Sequence, residues 1–525
     1  MPASQYNLAD LFEANVDVIG DREAVVVGDT RLTYKQLDER SNRLAHHLVE
    51  HMGVKPGDHV GMHMVNGIEF VEGILACLKI RAVPINVNYR YVEEELRYIY
   101  DNADLVAILV NEEFVDRAKG AGAPPMMVVE QEYETALAAS RPDRDFPERS
   151  IDDRYIIYTG GTTGMPKGVV WRQEDLFFAG LGGGNPQGEP VTAPEQVAAN
   201  VVERNQMVMF PSPPLMHGAA QLGILIAFNW GEKVVLIPRY SGEGALDLIE
   251  KEKVNSINVV GDAMARPLAE ALNENPTRWD LSSLFVLSSA GAILSEAVKA
   301  QLRQHLPDLF IVDGFGSTET GHSGMGAADA SPDKGLRFAM SDRIRVVDPD
   351  TFEPVEPGSG KVGVIVQRKH IPLEYYKDPE KTAATFKEIG GERYVIAGDM
   401  ATIEADGTVL VFGRGSVSIN SGGEKIFPEE VEAALKSHPD VFDAVVVGVP
   451  DTKWGEKVSA VIQPREGKAP TLEELDKHCR TRVAAYKVPR LVAIVDQMVR
   501  SPAGKADYQW ARSVAAQSSQ QGASS

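Results

Sequence analysis

Residues 155–170, YIIYTGGTTGMPKGVV, constrain the fold and the chemistry of this chain more than any other stretch. Residues 155–158 are apolar and β-prone, which predicts a buried strand. The residues that follow are rich in glycine and threonine and include Lys167. Glycines let a backbone approach an anion, hydroxyls donate hydrogen bonds, and a lysine supplies a mobile cation. The stretch therefore predicts a strand followed by a loop able to bind a polyphosphate.

This loop is not a P-loop, because Met165 and Pro166 separate Gly164 from Lys167 and no Ser or Thr follows the lysine. The string TGGTTGMPKG resembles, position for position, the phosphate loop of the AMP-forming adenylating enzymes, which include the acyl-CoA synthetases. The likeness extends over nearly the whole chain. It implies that the loop holds the β- and γ-phosphates of ATP. The residues that it assigns to this task are Thr159, Gly160, Gly161, Thr162, Thr163 and Lys167.

The composition excludes several classes of protein. A chain of 525 residues is too long for one hydrophobic core, so several domains are expected. The net charge of −22 argues against a partner such as nucleic acid or an anionic membrane. The two cysteines, Cys77 and Cys479, give no support for a disulfide framework or a zinc site. With no signal pattern and no apolar run of about 18 residues, we expect a cytoplasmic protein without an integral membrane segment.

The alternation of patterns predicts an α/β protein. Strand-like HVGMHMVNG, helix-like FVEGILACLKIRA and strand-like VPINVN follow one another, which implies a parallel sheet with helical crossovers. Residues 116–149 are polar and weakly patterned, apart from the short apolar run at 126–129, so a connection is expected there. The family likeness implies a large N-terminal domain of β-sheets with packed helices, residues 1–414. It also implies a small, mobile α/β C-terminal domain, residues 415–525.

Two strand ends are expected to bind the nucleotide. Small residues after the strand at 285–289 would let a flat ring approach the backbone. In the segment FIVDGFGSTETG, an aromatic ring could stack on adenine, a carboxylate could accept from its amino group, and Glu319 could bind Mg²⁺. Alone, Phe315 would be core and Glu319 a solvated charge, but FGSTE resembles the family's aromatic-Gly-x-Thr-Glu motif. These positions are Gly291, Ala292, Asp313, Phe315, Gly316, Thr318 and Glu319.

Three further residues of the large domain are candidates for the site. A ribose needs a carboxylate that accepts from both hydroxyls, and Asp399 in the run GDM and Arg414 in the run GR would suit it. A structural salt bridge between these two is the alternative. His217 stands where a strand passes into a helix and matches the family's histidine beside the carboxylate pocket. We expect it to gate the substrate, although a lone histidine is more often structural.

The C-terminal segment carries the remaining expected site residues. The family has a charged residue at its interdomain pivot, whereas this chain reads GSVS, with Ser416 and Val417 in place of the usual polar pair. Small residues still permit a large change of backbone angles, so rotation is expected. Gly422 and Gly423 resemble the glycine pair that leaves room for the thiol arm of CoA. Lys505, in the run RSPAGK, matches the family's catalytic lysine.

These assignments predict an acid–thiol ligase with ATP, Mg²⁺ and CoA as cofactors and Lys505, Thr318, Glu319 and His217 as catalytic residues. The alternatives are an enzyme that loads an acyl group onto a carrier protein and an impaired homologue that only binds nucleotide or acyl ligands. The wording of several motifs resembles bacterial acyl-CoA synthetases for fatty acids and steroid side-chain acids. We therefore expect a bulky apolar carboxylic acid as the substrate, no nucleic-acid partner, and a chain that could form a homodimer.

Overall fold

The computed structural model confirms the α/β class. It describes residues 5–159, 165–185, 188–292, 294–327, 336–421, 424–451, 454–500 and 505–522. The strands of these ranges form five sheets, and helices cover the larger ones. None of the helices in the described ranges is long and apolar enough to cross a bilayer. Cys77 and Cys479 are both buried and unbridged.

The first region forms a parallel sheet between helices. Its elements are α1 (Leu8–Ile19), β1 (Glu23–Val27), β2 (Thr30–Thr33), α2 (Tyr34–Glu50), β3 (His59–His63), α3 (Ile68–Lys79), β4 (Val83–Asn86), α4 (Glu93–Asn102), β5 (Leu105–Val110), α5 (Val115–Gly120), β6 (Met126–Val128) and α6 (Val129–Ala139). Strands β4, β3, β5 and β6 lie in that order and run parallel, as the strand–helix alternation predicts. A capping box between Thr33 and Gln36 starts α2, which buries Leu37, Leu44 and Leu48.

The connection expected at residues 116–149 is wrong over most of its length. The structure has α5, β6 and α6 there, and residues from 141 onward are irregular. Helix α6 buries only Tyr133, Ala136 and Leu137, which lie at helical spacing on one side and pack against α2. So narrow an apolar face is a weak sequence pattern, and contact with α2 stabilises the helix.

The central region forms the largest sheet. Its elements are β7 (Arg154–Thr159), β8 (Lys167–Arg172), α7 (Gln173–Gly180), α8 (Glu195–Glu203), β9 (Val208–Pro211), α9 (Gly218–Asn229), β10 (Lys233–Leu236), α10 (Gly242–Glu252), β11 (Ser256–Val259), α11 (Gly261–Glu274), β12 (Val286–Ala290), α12 (Glu296–His305), β13 (Phe310–Ser317) and β14 (Gly321–Ala327). The order is β14-β13-β12-β11-β9-β10-β1-β2, with antiparallel pairs only at the two edges. Strands β9, β11, β12 and β13 therefore end at the same side of the sheet, where parallel sheets bind ligands.

The next region is antiparallel. Its elements are β15 (Leu336–Ala339), β16 (Ile344–Val347), β17 (Gly363–Arg368), β18 (Glu374–Tyr375), α13 (Pro379–Thr385), β19 (Phe386–Ile389), β20 (Glu392–Val395), β21 (Asp399–Ile403) and β22 (Thr408–Arg414). Strand β18 does not belong to the seven-stranded sheet of this region. It pairs with β8, which pairs with β7. This pairing brings the segment around Tyr375 beside the hairpin that carries Lys167.

The last region forms a separate sheet with its own apolar core. Its elements are β23 (Ile419–Ser421), β24 (Glu424–Ile426), α14 (Pro428–Lys436), β25 (Val441–Asp451), β26 (Gly455–Pro464), α15 (Leu472–Cys479), β27 (Leu491–Ile494) and α16 (Tyr508–Gly522). Two clusters of buried side chains come from this region alone. We call the described residues from 419 onward the C-terminal unit and those up to 414 the large unit. The domain boundary between residues 414 and 415 stays a prediction.

Candidate active site

The two ends of the predicted phosphate loop face each other across a hairpin. Thr159 closes β7 and Lys167 opens β8, and the two residues are register partners in the antiparallel pair. The Tyr98 hydroxyl donates to the Pro166 carbonyl oxygen at 3.1 Å and ties the hairpin to α4. Gly160, Gly161, Thr162 and Thr163 lie outside the described residues, so their expected contacts with phosphate stay predictions.

Lys167 is held by an acidic side chain that the sequence did not single out. Its Nζ contacts the Asp378 carboxylate, whose other oxygen accepts from the Lys381 backbone N–H at 2.9 Å and caps α13. The hydrogen bond from Lys167 lowers the pKa of Asp378, so the carboxylate is ionised. Asp378 is therefore the ionic partner of Lys167 in this structure, and the expected contact of Lys167 with phosphate stays a prediction.

Tyr375 joins the phosphate lysine to the predicted metal ligand. Its hydroxyl donates to Glu319 Oε1 at 2.8 Å, and Lys167 Nζ lies 6.0 Å from the centroid of its ring. Tyr375 was not among the residues predicted from the sequence, because its neighbours Glu319 and Lys167 are distant in the chain. The three side chains come from β8, the β13–β14 turn and β18, which the sheet pairing brings together.

The turn that carries Thr318 and Glu319 is held rigidly by hydrogen bonds. The Trp171 indole N–H donates to the Thr318 carbonyl oxygen at 3.0 Å, and the buried Gln367 amide donates to the Thr320 carbonyl oxygen at 2.6 Å. Within the turn, the Glu319 N–H donates to Ser317 Oγ at 3.2 Å. Both predicted catalytic side chains are half-buried. A fixed turn of this kind suits groups that must meet a ligand at a defined place.

The residues around Glu319 fit a magnesium ion that the nucleotide brings with it. Within the described ranges, no group of three or more His, Cys, Asp or Glu side chains could hold a metal ion. Mg²⁺ keeps several waters and binds through one or two carboxylates and substrate phosphates. A single carboxylate with one oxygen fixed by Tyr375, close to Lys167, provides that kind of partial site.

A pair of stacked rings forms the expected adenine platform. Phe315 on β13 is half-buried and stacks on the buried Phe338, with ring centroids 5.4 Å apart and planes at 19°. Gly316 follows it in the strand, and a Cβ there would lie 2.1 Å from the Gly321 carbonyl oxygen, so only glycine fits. Phe338 lies on β15, and the sequence analysis missed it because nothing local pairs that strand with Phe315.

Small residues line the neighbouring strand end. Gly291 follows β12 with φ of +84°, which requires glycine, and the nearest atom to an added Cβ would be Val260 Cγ1 at 3.9 Å. Ala290 is the register partner of Gly314. Ala292 lies two residues after Ala290, and Phe315 is the residue after Gly314. The predicted adenine residues therefore come from neighbouring strands of the sheet.

Asp313, expected to accept from adenine, already binds a buried lysine. Lys299 Nζ on α12 lies 2.6 Å from Asp313 Oδ2 and 2.7 Å from Glu296 Oε1. Burial alone would lower the pKa of Lys299, but the two carboxylates raise it overall. The lysine fixes the Asp313 carboxylate in place. The sequence analysis missed it, since a lysine on an amphipathic helix reads as a solvated charge.

His217 is the residue immediately before α9. The preceding residue, Met216, accepts a hydrogen bond through its carbonyl oxygen from the Asn86 amide at 2.7 Å, and the same amide donates to the Tyr158 carbonyl oxygen at 2.8 Å. Burial, then the positive charges of Arg90 and Lys505, lower the pKa of His217 to about 4. The imidazole is therefore neutral at physiological pH.

The charge of Lys505 contributes to the lowered pKa of His217, after burial and Arg90. Lys505 belongs to the C-terminal unit, and an antiparallel bridge joins Arg500 to Ala506, the residue after it. Its charge thus acts on an imidazole that lies almost 290 positions earlier in the chain, just before α9. The role of Lys505 as the catalytic cation stays a prediction.

Asp399 and Arg414 lie opposite each other. They are register partners in the antiparallel pair β21–β22, and the Gly415 N–H donates to the Gly398 carbonyl oxygen at 2.9 Å beside them. This register is compatible with both alternatives, joint binding of a ribose and a structural ion pair. Gly422 and Gly423 lie outside the described residues, so the expected opening for a thiol arm stays a prediction.

One face of helix α9 is apolar and only partly buried, and Leu222 and Ile226 on this face also pack against the core. Ala219 is exposed, and Leu222, Gly223 and Ile226 are only partly buried, at helical spacing from it. The other side of the helix is packed into the core. A Cβ on Gly180 of α7 would lie 3.5 Å from Leu222, so α7 borders this face. An apolar surface that begins next to His217 can accommodate the hydrocarbon part of a ligand.

Comparison with known proteins agrees with this geometry. The model of the AMP-binding enzyme family matches residues 12–376, and that of the AMP-binding enzyme C-terminal domain matches residues 430–505. The chain is 49% identical to a 3-oxocholest-4-en-26-oate–CoA ligase of Rhodococcus rhodochrous, over 96% of this chain and 95% of that protein. It is 47% identical to a medium/long-chain-fatty-acid–CoA/3-oxocholest-4-en-26-oate–CoA ligase of Mycolicibacterium smegmatis, over 97% of this chain and 96% of that one.

The fold is similar to that of solved adenylating enzymes. An anthranilate CoA ligase in complex with anthranoyl-AMP superposes with a TM-score of 0.85 and 22% identity, over 99% of both chains. A fatty acyl CoA synthetase of Mycobacterium tuberculosis gives a TM-score of 0.70 and 23% identity, over 96% of this chain and 97% of that one. At these identities the likeness concerns the fold.

Proposed function

Because the chain belongs to the AMP-binding enzyme family, we propose that it ligates a bulky apolar carboxylic acid to CoA through an acyl-AMP intermediate. In the first step a carboxylate oxygen attacks the α-phosphorus of ATP, and the bond to the leaving pyrophosphate breaks. In the second, the CoA sulfur attacks the acyl carbon, its proton is lost, and AMP leaves. The products are acyl-CoA, AMP and pyrophosphate.

The first step needs positioned cations and donors, because negative charge accumulates around the transferred group. Lys167 and residues 159–163 hold the β- and γ-phosphates, and Thr318 donates to the α-phosphate. Glu319 holds Mg²⁺, which when bound neutralises phosphate charge. Phe315, Gly291, Ala292 and Gly316 surround the adenine and Asp313 accepts from it, while Asp399 and Arg414 hold the ribose.

Lys505 bridges the carboxylate and the α-phosphate. The observation that carries the proposed function is the arrangement of Lys167, Tyr375 and Glu319, which suits a phosphate chain with its metal ion. The role of Lys505 is supported by the run RSPAGK and by its charge, which contributes to the lowered pKa of His217. The carboxylate nucleophile is already ionised, so the site needs no strong base. A neutral His217 agrees with that, because its task is to gate the carboxylate pocket.

The apolar face of α9 supports the substrate class. A hydrocarbon chain or ring system laid along Ala219, Leu222, Gly223 and Ile226 would remove apolar surface from water on both partners. The named substrates of the two bacterial relatives, a steroid side-chain acid and fatty acids, belong to this class. The need for ATP and CoA as co-substrates supports a cytoplasmic location for the reaction.

An ATP–pyrophosphate exchange assay across short, long-chain, steroid side-chain and aromatic acids tests the first step, and added CoA tests the second. We expect exchange with long-chain or steroid acids and CoA-dependent thioester. Exchange without discharge by CoA would favour transfer to a carrier protein, and no exchange with any acid would favour a binding protein without catalysis. Sedimentation of the purified chain would decide whether it forms the expected homodimer.

A further inference from the structure

The large and C-terminal units touch through a pair of side chains outside the linker between them. Arg266 on α11 lies with its guanidinium carbon 5.0 Å from the centroid of the Phe442 ring on β25. The arginine side chain is only 4% exposed, and Phe442 is half-buried. A desolvated guanidinium over an aromatic face is a favourable and directional contact.

Arg266 is oriented for this contact by its own helix. Its Nη2 lies 3.0 Å from Asp262 Oδ2 one turn earlier, and the other oxygen of Asp262 accepts from the Ser295 N–H at 2.7 Å. Its Nη1 is buried and makes no hydrogen bond within the described residues. A buried arginine with an unsatisfied N–H is costly, so a ring facing it compensates part of that cost.

The contact is connected to Lys505 by a short path through the C-terminal unit. Phe442 precedes Asp443, which binds Arg500, with Nε 3.1 Å from Oδ2, and Lys436 at 3.4 Å. Arg500 pairs through its backbone with Ala506, the residue after Lys505. On the large unit, the helix that carries Arg266 begins beside the predicted adenine turn. There the Gly261 N–H donates to Ser289 Oγ at 3.1 Å.

Charges on α11 also act on Arg465, the residue after β26 in the C-terminal unit. Burial, and then the charge of Arg266, lower the pKa of Arg465, while the carboxylates of Glu270 and Asp262 act against them. These opposed influences complement the direct contact, in which Arg266 stacks on the Phe442 ring.

We propose that Arg266 is a positioning residue for acyl-AMP formation: by stacking on Phe442 it holds the C-terminal unit in the pose that brings Lys505 to the carboxylate pocket. The inference rests on the proposed function, in which Lys505 serves the first step. The inference also concerns the linker, where Ser416 and Val417 supply no charged pivot side chain. A contact outside the linker is therefore needed to favour this pose.

Paired substitutions at Phe442 test the role of the ring. Phe442→Leu keeps an apolar side chain and removes the aromatic face, whereas Phe442→Tyr keeps the face. We expect Phe442→Leu to slow pyrophosphate exchange at saturating substrates by about threefold to thirtyfold, the range of a cation–π contact. Thioester formation from supplied acyl-AMP and CoA should not slow. Phe442→Tyr should retain both rates.

Arg266→Gln should reproduce the effect of Phe442→Leu, and the double variant should be no slower than either single one. A matched control is Arg204→Gln, which removes a guanidinium 4.6 Å from the Trp230 ring within the large unit. Equal slowing of both half-reactions together with a lower melting temperature would show a merely structural role. Exchange within twofold of the parent in Phe442→Leu would overturn the proposal.

A distance measurement separates this proposal from the proposed function. Spin labels at Glu274→Cys on α11 and Glu473→Cys on α15 report on the two units, because both positions are exposed and the native cysteines are buried. We expect the distance distribution to broaden in Phe442→Leu and not in Phe442→Tyr. If no acid supports exchange but the distances still respond, the proposed function fails and the contact stands; unchanged distances in Phe442→Leu contradict the contact.

Discussion

Tyr375 shows how single side chains organise the charges of this site. Its hydroxyl donates to Glu319 and its ring lies near Lys167 Nζ, so one residue contacts both the carboxylate expected to bind Mg²⁺ and the lysine expected to bind phosphate. Asp378 adds a second contact, since it binds Lys167 while capping α13. Lys299 likewise binds Asp313. Three of the expected ligand-binding residues thus have a side-chain partner that orients them.

Substitution of Tyr375 by Phe removes the hydrogen bond to Glu319 but leaves the ring. We expect Mg²⁺ to bind about tenfold more weakly to the complex with a non-hydrolysable ATP analogue, because partners of metal ligands commonly contribute that much. Calorimetric titration of Mg²⁺ measures the change without turnover. Tyr376→Phe is the control, since its hydroxyl donates instead to Asp104 at 2.8 Å. Equal Mg²⁺ affinities in the parent and Tyr375→Phe would contradict the role.

Substitution of Lys505 by Ala should abolish most acyl-AMP formation. Loss of one preorganised donor costs on the order of 3 kcal/mol, so we expect pyrophosphate exchange to fall by at least about 100-fold. Thioester formation from supplied acyl-AMP should change little. The exposed Lys477→Ala, on α15 of the same unit, is the matched control. Undiminished exchange in Lys505→Ala would refute the proposed mechanism.

At the scale of elements, α9 serves two purposes. Its first residues bring His217 into a desolvated position near the positive charges of Arg90 and Lys505. Its far side packs into the core, and its near side is apolar and only partly buried. One helix therefore lies beside the positions expected for the carboxylate and for the hydrocarbon part of the acid. The two positions can be tested separately.

His217 should make the protein sensitive to acid. The pKa of the imidazole is lowered to about 4 in the folded chain, against an ordinary value near 6.5. Between these values the unfolded chain binds a proton that the folded chain does not, so falling pH favours unfolding. We expect His217→Gln to lose less stability than the parent between pH 6.5 and pH 4.5, measured by urea denaturation. Parallel losses in both proteins would be the contrary result.

A larger side chain on the apolar face of α9 should restrict the acid. In Ala219→Phe we expect kcat/KM for long-chain or steroid acids to fall at least about tenfold relative to a short acid, because the ring occupies their space. Because Ala219 is exposed, we expect the substitution to leave the free energy of unfolding almost unchanged. Ala300→Phe, at an exposed alanine of α12, is the control. Equal losses for short and bulky acids would place the acid elsewhere.

The whole molecule combines a strongly acidic chain with positive side chains at the positions expected to meet an anion. Against a net charge of −22, Lys167 opens β8, Arg90 lies between β4 and α4, and Lys505 belongs to a unit with separate cores. A cluster around Phe427 joins that unit to the large one beside the linker, and Phe427 stacks on Phe412 at 5.4 Å. This cluster and the ring contact on α11 both couple the two units.

Calorimetry should resolve two unfolding transitions. Clusters of buried residues belong either to the large unit or to the C-terminal unit, apart from the one around Phe427, so the units can melt separately. A saturating ATP analogue should raise the transition of the large unit by a few degrees. A single transition whose calorimetric and van't Hoff enthalpies agree would show that the chain unfolds as one body.

The sequence alone determined the fold class, the family and the main candidate residues, because these depend on local strings such as TGGTTGMPKG and FGSTE and on strand–helix alternation. The tertiary structure decided which side chains meet. Tyr375 and Glu319 are 56 positions apart, and Lys167 and Asp378 are 211 apart. Such pairs depend on sheet order and on how the units dock, and neither is written in local periodicity. The contact between Arg266 and Phe442 exists for the same reason: two separate cores, once packed together, place those side chains face to face.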